Sequence, residues 1–205
     1  HRDLHSFPTR RSSDLLKIAA INGSLPLAID PKYPGIMGEI INLDEYGNKE
    51  TFKKKKMEIV ELVNRLDLQR SQAYRWLEKA GEIKENIRNS IEHDPNHLAD
   101  NLHCITKGLM SEILDEKPEE KHYFASAFTA DGMINYVDET SSLCKKRYIF
   151  KGPPGSGKSI IINEIASKAK EKGFLVEYYH CGLNAQNISM VIIPDLQVAL
   201  IDAGD

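Results

Sequence analysis

The sequence has few cysteines, no long apolar run and no strong excess of charge of either sign. Cys104, Cys144 and Cys181 stand far apart without a CxxC pair, so neither a disulfide framework nor a zinc site is indicated. No apolar stretch approaches the roughly 20 residues that span a bilayer, and no signal peptide is recognisable. The formal net charge of −3 provides no basic field for nucleic acid. These absences predict a cytoplasmic protein with reduced thiols, no membrane anchor and no evident nucleic-acid partner.

Residues 1–15 show neither an apolar period nor a targeting pattern. Back-translated in one reading frame, His5–Leu15 can be written as the adapter primer that is standard in short-read sequencing libraries. We therefore interpret residues 1–15 as adapter-derived and non-native, and leave them out of the fold prediction. A disordered polar N-terminus is the alternative. An adapter read as protein implies that the natural chain is cut at this end, so we expect a fragment.

The next part of the chain changes from a short apolar run to helical spacing. With 205 residues, of which 41% are hydrophobic, the chain can form one full domain or two small ones. Leu16–Ile21 predicts a buried strand that ends at a turn. Residues 47–118 have apolar positions at helical spacing over Glu50–Ile91 and again after Asp94-Pro95, which suits a helix start. They predict a long, charged helical hairpin.

From residue 121 onwards, short apolar runs alternate with helical patterns, which is typical of an α/β domain. Helices are predicted at Gly132–Cys144 and Ile160–Lys170. Strands are predicted at Arg147–Phe150, Phe174–Tyr179, Met190–Ile193 and Leu196–Asp202.

Between the first of these strands and the second helix, residues 152–159 read GPPGSGKS and fit GxxxxGK[ST] without departure. Glycines allow backbone N–H groups to turn inward as an anion nest at a helix N-terminus. In this P-loop arrangement Lys158 contacts the β- and γ-phosphates, and the Ser159 hydroxyl holds Mg²⁺. A purely structural glycine turn is the alternative. The predicted nucleotide-binding residues are Gly152, Pro153, Pro154, Gly155, Ser156, Gly157, Lys158, Ser159 and Ile160.

The strand predicted at Leu196–Asp202 is apolar and ends in an acid, as a Walker B strand does. An aspartate at the carboxyl edge of a strand beside a P-loop can hold Mg²⁺. We therefore predict Ser159 and Asp202 as metal ligands and Lys158 and Asp202 as catalytic residues; a strand-end turn is the alternative for Asp202. His180 and Cys181 end another predicted strand, where they could meet the substrate or simply form a polar terminus.

An internal repeat accompanies these motifs, because LKIAAIN at residues 16–22 matches LQVALID at residues 196–202 in character. With it the chain resembles a bacterial family with two tandem P-loop domains, described only as ATPases or nucleotide kinases. The resemblance is carried by IDPKYPG, KKRYIFKGPPGSGKS, VEYYHCG and MVIIPDLQVALID, which begin at residues 29, 145, 176 and 190. It implies that Gly152, Gly157, Lys158 and Ser159 contact the nucleotide and that Asp202 contacts the metal.

The resemblance also implies a domain order. Residues 16–46 would end a first P-loop copy, in which Asn22 replaces the acid, and residues 47–118 would be a helical connector. Residues 121–205 would be a second copy, truncated at its C-terminal end. The predicted fold is thus α/β, with a mostly parallel P-loop NTPase sheet flanked by helices and a long helical hairpin, in a fragment of a two-copy protein.

The leading functional hypothesis is an Mg²⁺-dependent ATPase, with ATP as the first choice of ligand and GTP as the second. A nucleotide or small-molecule kinase with its acceptor near His180–Asn187 is one alternative, and a nucleotide-sensing module without turnover is another. No protein partner can be named. Because the second copy would be incomplete, we expect the fragment to hydrolyse almost no nucleotide.

Overall fold

The computed structural model describes residues 10–13, 18–23, 30–91, 102–103, 105–107 and 119–204 of the chain. Two compact units are present, His1–Ser71 and Gln72–Asp205. The strands are β1 (Arg10–Ser13), β2 (Ile18–Ile21), β3 (Glu120–Phe124), β4 (Ser126–Thr129), β5 (Gly132–Asn135), β6 (Lys146–Phe150), β7 (Val176–His180), β8 (Ile188–Ile193) and β9 (Val198–Asp202). The α-helices are α1 (Lys49–Lys54), α2 (Lys56–Asn89), α3 (Val137–Ser141) and α4 (Lys158–Glu171). None of the helices in these ranges is long and apolar enough to cross a membrane.

The strand predicted at Leu16–Ile21 forms, but it is not buried. β2 pairs antiparallel with β1, and Ile18 and Ile21 are 62% and 49% exposed. The prediction of burial is therefore wrong, because the described part of the chain places no core against this strand. Its partner β1 lies within residues 1–15, which we left out of the fold prediction. Backbone hydrogen bonding explains how it can pair, since a ladder requires no particular side chains.

Helices α1 and α2 confirm the helical spacing predicted for Glu50–Ile91. Asn48 caps α1 by accepting hydrogen bonds from the backbone N–H groups of Glu50 and Thr51, at 3.1 and 3.2 Å, as helix N-termini require. α2 has no buried residue along its length. Most of the predicted second hairpin helix lies outside the described residues; residues 102–103 and 105–107 are helical.

The second unit is built on a five-stranded sheet of order β3-β7-β8-β9-β6. β3 is parallel to β7 and β6 is parallel to β9, whereas β8 is antiparallel to both of its neighbours. The sheet is therefore mixed: β3, β7, β9 and β6 run in one direction, as predicted for a mostly parallel sheet, and β8 runs against them. The reason is the connection from β8 to β9, a single turn at Pro194–Leu196 with Gln197 at a φ of 52°. A parallel strand would need a far longer crossover.

A core lies on each face of this sheet. Alternation along β9 explains the division, since successive side chains of a strand point to opposite faces. Val198 and Leu200 join the core that includes α4, and Ala199 and Ile201 join the other. The first core contains Ile161, Ile162, Ile165, Ala166, Ala169, Phe174, Val176, Val191 and Ile193, with Leu102 and Ile105 packed against it.

The helix predicted over Gly132–Cys144 is largely wrong. Its first part is β5, which pairs with β4 in a hairpin, and only Val137–Ser141 is helical. Gly132 has a φ of 110°, which suits the hairpin turn and would break a helix. Thr129 stabilises the turn, because its hydroxyl donates to the Gly132 carbonyl at 2.9 Å.

Candidate functional site

The glycine-rich loop lies between β6 and α4, in the strand–loop–helix context that the motif requires. Gly152, Gly155 and Gly157 have φ angles of 145°, 88° and 84°. Glycine adopts such angles freely, whereas residues with a Cβ do so rarely. The spacing of glycines in the motif therefore has a local structural cause, because each one stands where the backbone must turn.

Lys158, the first residue of α4, is folded inside this loop and is only 7% exposed. Its ammonium group donates to the carbonyls of Gly152 and Pro153, at 2.6 and 2.9 Å, and to the hydroxyl of Ser156 at 3.3 Å. Its Nζ also lies 3.6 Å from Oδ1 of Asp202. Lys158 is thus a nearly buried cation that the loop surrounds with oxygen atoms.

Asp202 reaches the loop because its strand lies beside the strand that precedes the loop. β9 and β6 are parallel, with Asp202 opposite Phe150 in the register. The pairing continues one step further, where Ala203 donates its N–H to the Phe150 carbonyl at 3.0 Å. The Asp202 carboxylate also accepts from the N–H of Gly204 at 3.0 Å. The structure therefore brings the predicted residues Lys158 and Asp202 together beside the carboxyl ends of β6 and β9.

The structure adds a residue that the sequence analysis missed. Arg88, in the last turn of α2, donates from Nη2 to the Ser159 hydroxyl at 3.1 Å and from Nη1 to the Asn187 side chain at 2.9 Å. Its third partner is the Glu85 carboxylate at 3.4 Å. An arginine near a helix C-terminus is expected on helix-dipole grounds alone. No local pattern could therefore have connected it to the glycine-rich loop.

The end of α2 packs directly against the loop. A Cβ built on Gly155 would lie 2.6 Å from the Arg88 carbonyl oxygen and 2.9 Å from its Cα. Such distances are too short for any side chain, so only glycine allows this approach. Gly155 therefore has two reasons to be glycine, its positive φ and its contact with the α2 backbone.

A cavity of about 240 Å³ opens beside the loop, slightly below the roughly 300–1,000 Å³ of typical ligand pockets. Seven of the nine predicted nucleotide-binding residues line it, as does Asp202. The exceptions are Gly152 and Pro153, whose carbonyls accept hydrogen bonds from Lys158. Glu85, Arg88, Ser126, Asn135, Cys181 and Asn187 also line the cavity.

Of the two polar residues predicted at a strand end, only Cys181 lines the cavity. His180 instead places Nδ1 against the carbonyl of Ala185 and Nε2 2.8 Å from Nδ1 of His122. A carbonyl can only accept, so Nδ1 of His180 carries a proton, and in the neutral ring Nε2 accepts from His122. His180 is therefore occupied by a strand-end hydrogen-bond chain.

The predicted metal ligands have the chemistry that Mg²⁺ favours, because Ser159 offers a hydroxyl oxygen and Asp202 a carboxylate. Each contacts a cationic side chain, Arg88 in the first case and Lys158 in the second. Among the described residues, no group of three or more His, Cys, Asp or Glu side chains is arranged to hold a metal. Ser159 and Asp202 thus offer two oxygen donors for Mg²⁺, and the metal site stays a prediction.

Comparison with known proteins provides no relative from which a role could be transferred. No family model, curated protein or solved structure matches this chain.

Proposed function

We propose that the glycine-rich loop binds the phosphates of a nucleoside triphosphate together with Mg²⁺, and that the protein hydrolyses it. ATP is the first candidate and GTP the second. The observation that carries the proposal is the position of Lys158 and Asp202. These opposite charges lie 3.6 Å apart, beside a loop that contains three glycines with positive φ. A merely structural turn would not need a buried lysine.

The partners of Lys158 support a phosphate ligand. Its two shortest hydrogen bonds go to neutral carbonyls of the loop. Charged phosphate oxygens form stronger hydrogen bonds with an ammonium group than carbonyls do. Lys158 can therefore turn from the loop to the β- and γ-phosphates when a nucleotide binds.

The remaining groups have complementary roles in this proposal. Backbone N–H groups at the start of α4 orient the phosphates, since a helix N-terminus favours anions. Ser159 and Asp202 hold the metal, whose contribution is to neutralise charge on the phosphoryl oxygens. Lys158 stabilises the charge that spreads over the transferring group.

A second candidate is a kinase that transfers the phosphoryl group to an acceptor other than water. One observation favours a kinase: the polar side chains of Ser126, Asn135 and Asn187 also line the cavity. Such groups can hydrogen-bond an acceptor hydroxyl. Hydrolysis remains the leading proposal, since the carrying observation concerns the phosphates and the metal alone.

Replacing Lys158 with alanine tests the binding site. The loop would lose its buried cation, and we expect affinity for a fluorescent ATP analogue to fall about 10- to 100-fold, the range for charge-assisted hydrogen bonds. Lys168→Ala, in the last turn of the same helix, is the matched control and should leave affinity unchanged. Equal affinities for wild type and Lys158→Ala would contradict the proposal.

Turnover separates the remaining alternatives. Phosphate release without an acceptor supports hydrolysis, whereas release or transfer that requires an added nucleotide or small molecule supports a kinase. Asp202→Asn should keep nucleotide binding and lower turnover by about tenfold or more, because a neutral amide replaces a metal-holding carboxylate. Unchanged turnover and Mg²⁺ dependence would show that Asp202 is only a strand terminus. Binding without turnover in wild type fits a nucleotide-sensing module, and it fits equally the very low turnover that the sequence leads us to expect of a fragment.

A further inference from the structure

The Arg88 guanidinium has one carboxylate partner and two neutral ones. Its two shorter hydrogen bonds are to neutral groups, the Ser159 hydroxyl and the Asn187 amide oxygen. The Glu85 carboxylate stands further off, at 3.4 Å. Arg147 offers a contrast within the same unit, because its guanidinium directly contacts the Asp138 carboxylate. Arg88 retains a charge that an anion can still use.

The position of this charge is defined by Ser159. That residue directly follows Lys158 at the start of α4, where the proposed function places the phosphates. The Arg88 guanidinium, 3.1 Å from the Ser159 hydroxyl, therefore lies beside the proposed phosphate position. The planar fork of arginine also matches phosphate geometry and can donate two parallel hydrogen bonds.

We propose that Arg88 binds the terminal phosphate of the nucleoside triphosphate, so that the last turn of α2 forms part of the nucleotide site. This inference rests on the proposed function, because without a bound nucleotide Arg88 has no phosphate to contact. The guanidinium leaves the Ser159 hydroxyl when the phosphate binds, which frees that oxygen for the metal. Its side chain is 33% exposed and lines the same cavity as Lys158 and Asp202, so a ligand in that cavity is accessible to it.

The competing explanation is that Arg88 only clamps the end of α2 to the loop. A clamp requires hydrogen bonds to Ser159 and Asn187 but no charge, and glutamine could provide them. Burying two thirds of a guanidinium for this purpose alone would cost desolvation free energy, with only the Glu85 carboxylate at 3.4 Å to compensate. The two explanations therefore differ in one measurable respect, the dependence of ligand affinity on the charge at position 88.

The test compares two probes in the full chain with Mg²⁺, a fluorescent non-hydrolysable ATP analogue and fluorescent ADP. We expect Arg88→Ala to lower affinity for the triphosphate about 10- to 100-fold, as for a lost charge-assisted hydrogen bond, and for ADP by less than about threefold. Arg88→Gln should behave in the same way, because it keeps hydrogen-bonding capacity and loses the charge. Arg75→Ala, an exposed arginine of the same helix, should match wild type.

Each outcome decides between the explanations. Equal losses for triphosphate and diphosphate, or wild-type affinity in Arg88→Gln, would overturn the inference and leave a clamp. Should thermal melting show that Arg88→Ala does not fold, Arg88→Gln decides alone. Wild-type protein that binds neither probe removes the proposed function and the inference together. Wild-type binding with no selective loss in the Arg88 variants removes only the inference.

Discussion

Helices α2 and α4 both have apolar residues at helical spacing, but only one of them is covered. α2 extends over 34 residues without a buried side chain, whereas α4 buries six residues in 14. The difference is that α4 lies against β8 and β9 of the sheet, while the described residues place no such surface along α2. A helical period therefore identifies an apolar face, but the fold determines whether anything packs on it.

The strongest test of this contrast uses one substitution at two sites of the second unit. Ile165→Ala in α4 removes a side chain that is fully buried and should cost about 2–5 kcal/mol in the free energy of unfolding. Ile83→Ala in α2 removes one that is 61% exposed and should stay within about 0.5 kcal/mol. Urea denaturation of both variants measures the two values. A large loss for Ile83→Ala would mean that the face of α2 is covered in solution.

The same contrast explains which parts of the fold the sequence could predict. The strand before the glycine-rich loop, the helix after it and the apolar strand ending at Asp202 were all recognisable, because their signals are local. The direction of β8 was not, since it depends on the turn at Pro194–Leu196, which looks like part of the next apolar run. The burial of Ile18 and Ile21 was predicted wrongly, because apolar character does not specify a neighbour.

The residues of the candidate site also fall into those that the local sequence predicts and those that it does not. Lys158, Ser159 and Asp202 follow from motif and spacing, and the geometry brings Lys158 and Asp202 to one edge of the sheet. Arg88 could not be found, because its contacts with Ser159 and Asn187 are made through tertiary packing. What distinguishes the end of α2 from the rest of that helix is therefore its contact with the loop.

Alanine substitution at two glycines, with an effect of intermediate size, tests the contact between the end of α2 and the loop. Gly155 and Gly132 both have positive φ, at 88° and 110°, but only the Cβ of an alanine at position 155 would meet the α2 backbone. Both alanine variants should lose about 1–2 kcal/mol for the backbone conformation. Gly155→Ala should lose about 1–3 kcal/mol more, because the packing must open. Urea denaturation measures the difference, and hydrogen exchange at residues 84–91 should rise only in Gly155→Ala. Equal losses without faster exchange would show that the helix end does not rest on the loop.

The smallest effect concerns the exposed end of α4, where Lys170 contacts Glu120 of the edge strand β3. The hydrogen bond that Lys170 donates to Glu120, together with the lysine charge, lowers the pKa of the Glu120 carboxyl. The same hydrogen bond is the main cause that raises the pKa of Lys170. A lowered carboxyl pKa contributes stability above the unfolded value and loses it as the pH falls through the folded value. The raised pKa of Lys170 contributes stability at pH values below the pKa of the unfolded state. This stability is lost as the pH rises through the pKa of the folded state. Glu120→Gln should therefore be slightly less stable than wild type at pH 7, and the difference should shrink in acid.

The Lys170–Glu120 pair is exposed, so its contribution to stability is small, because water and salt screen charges on a surface. Glu119→Gln, the exposed neighbouring substitution, controls for the general loss of a negative charge. Urea midpoints at pH 7 and near pH 4 would measure the effect in both variants. A pH-independent difference would mean that Glu120 acts by packing. A loss in Glu120→Gln as large as that of Ile165→Ala would show that this contact, and not the buried face of α4, holds the helix on the sheet. The difference between α4 and α2 would then come from the ion pair at the end of α4 and not from the burial of its apolar face.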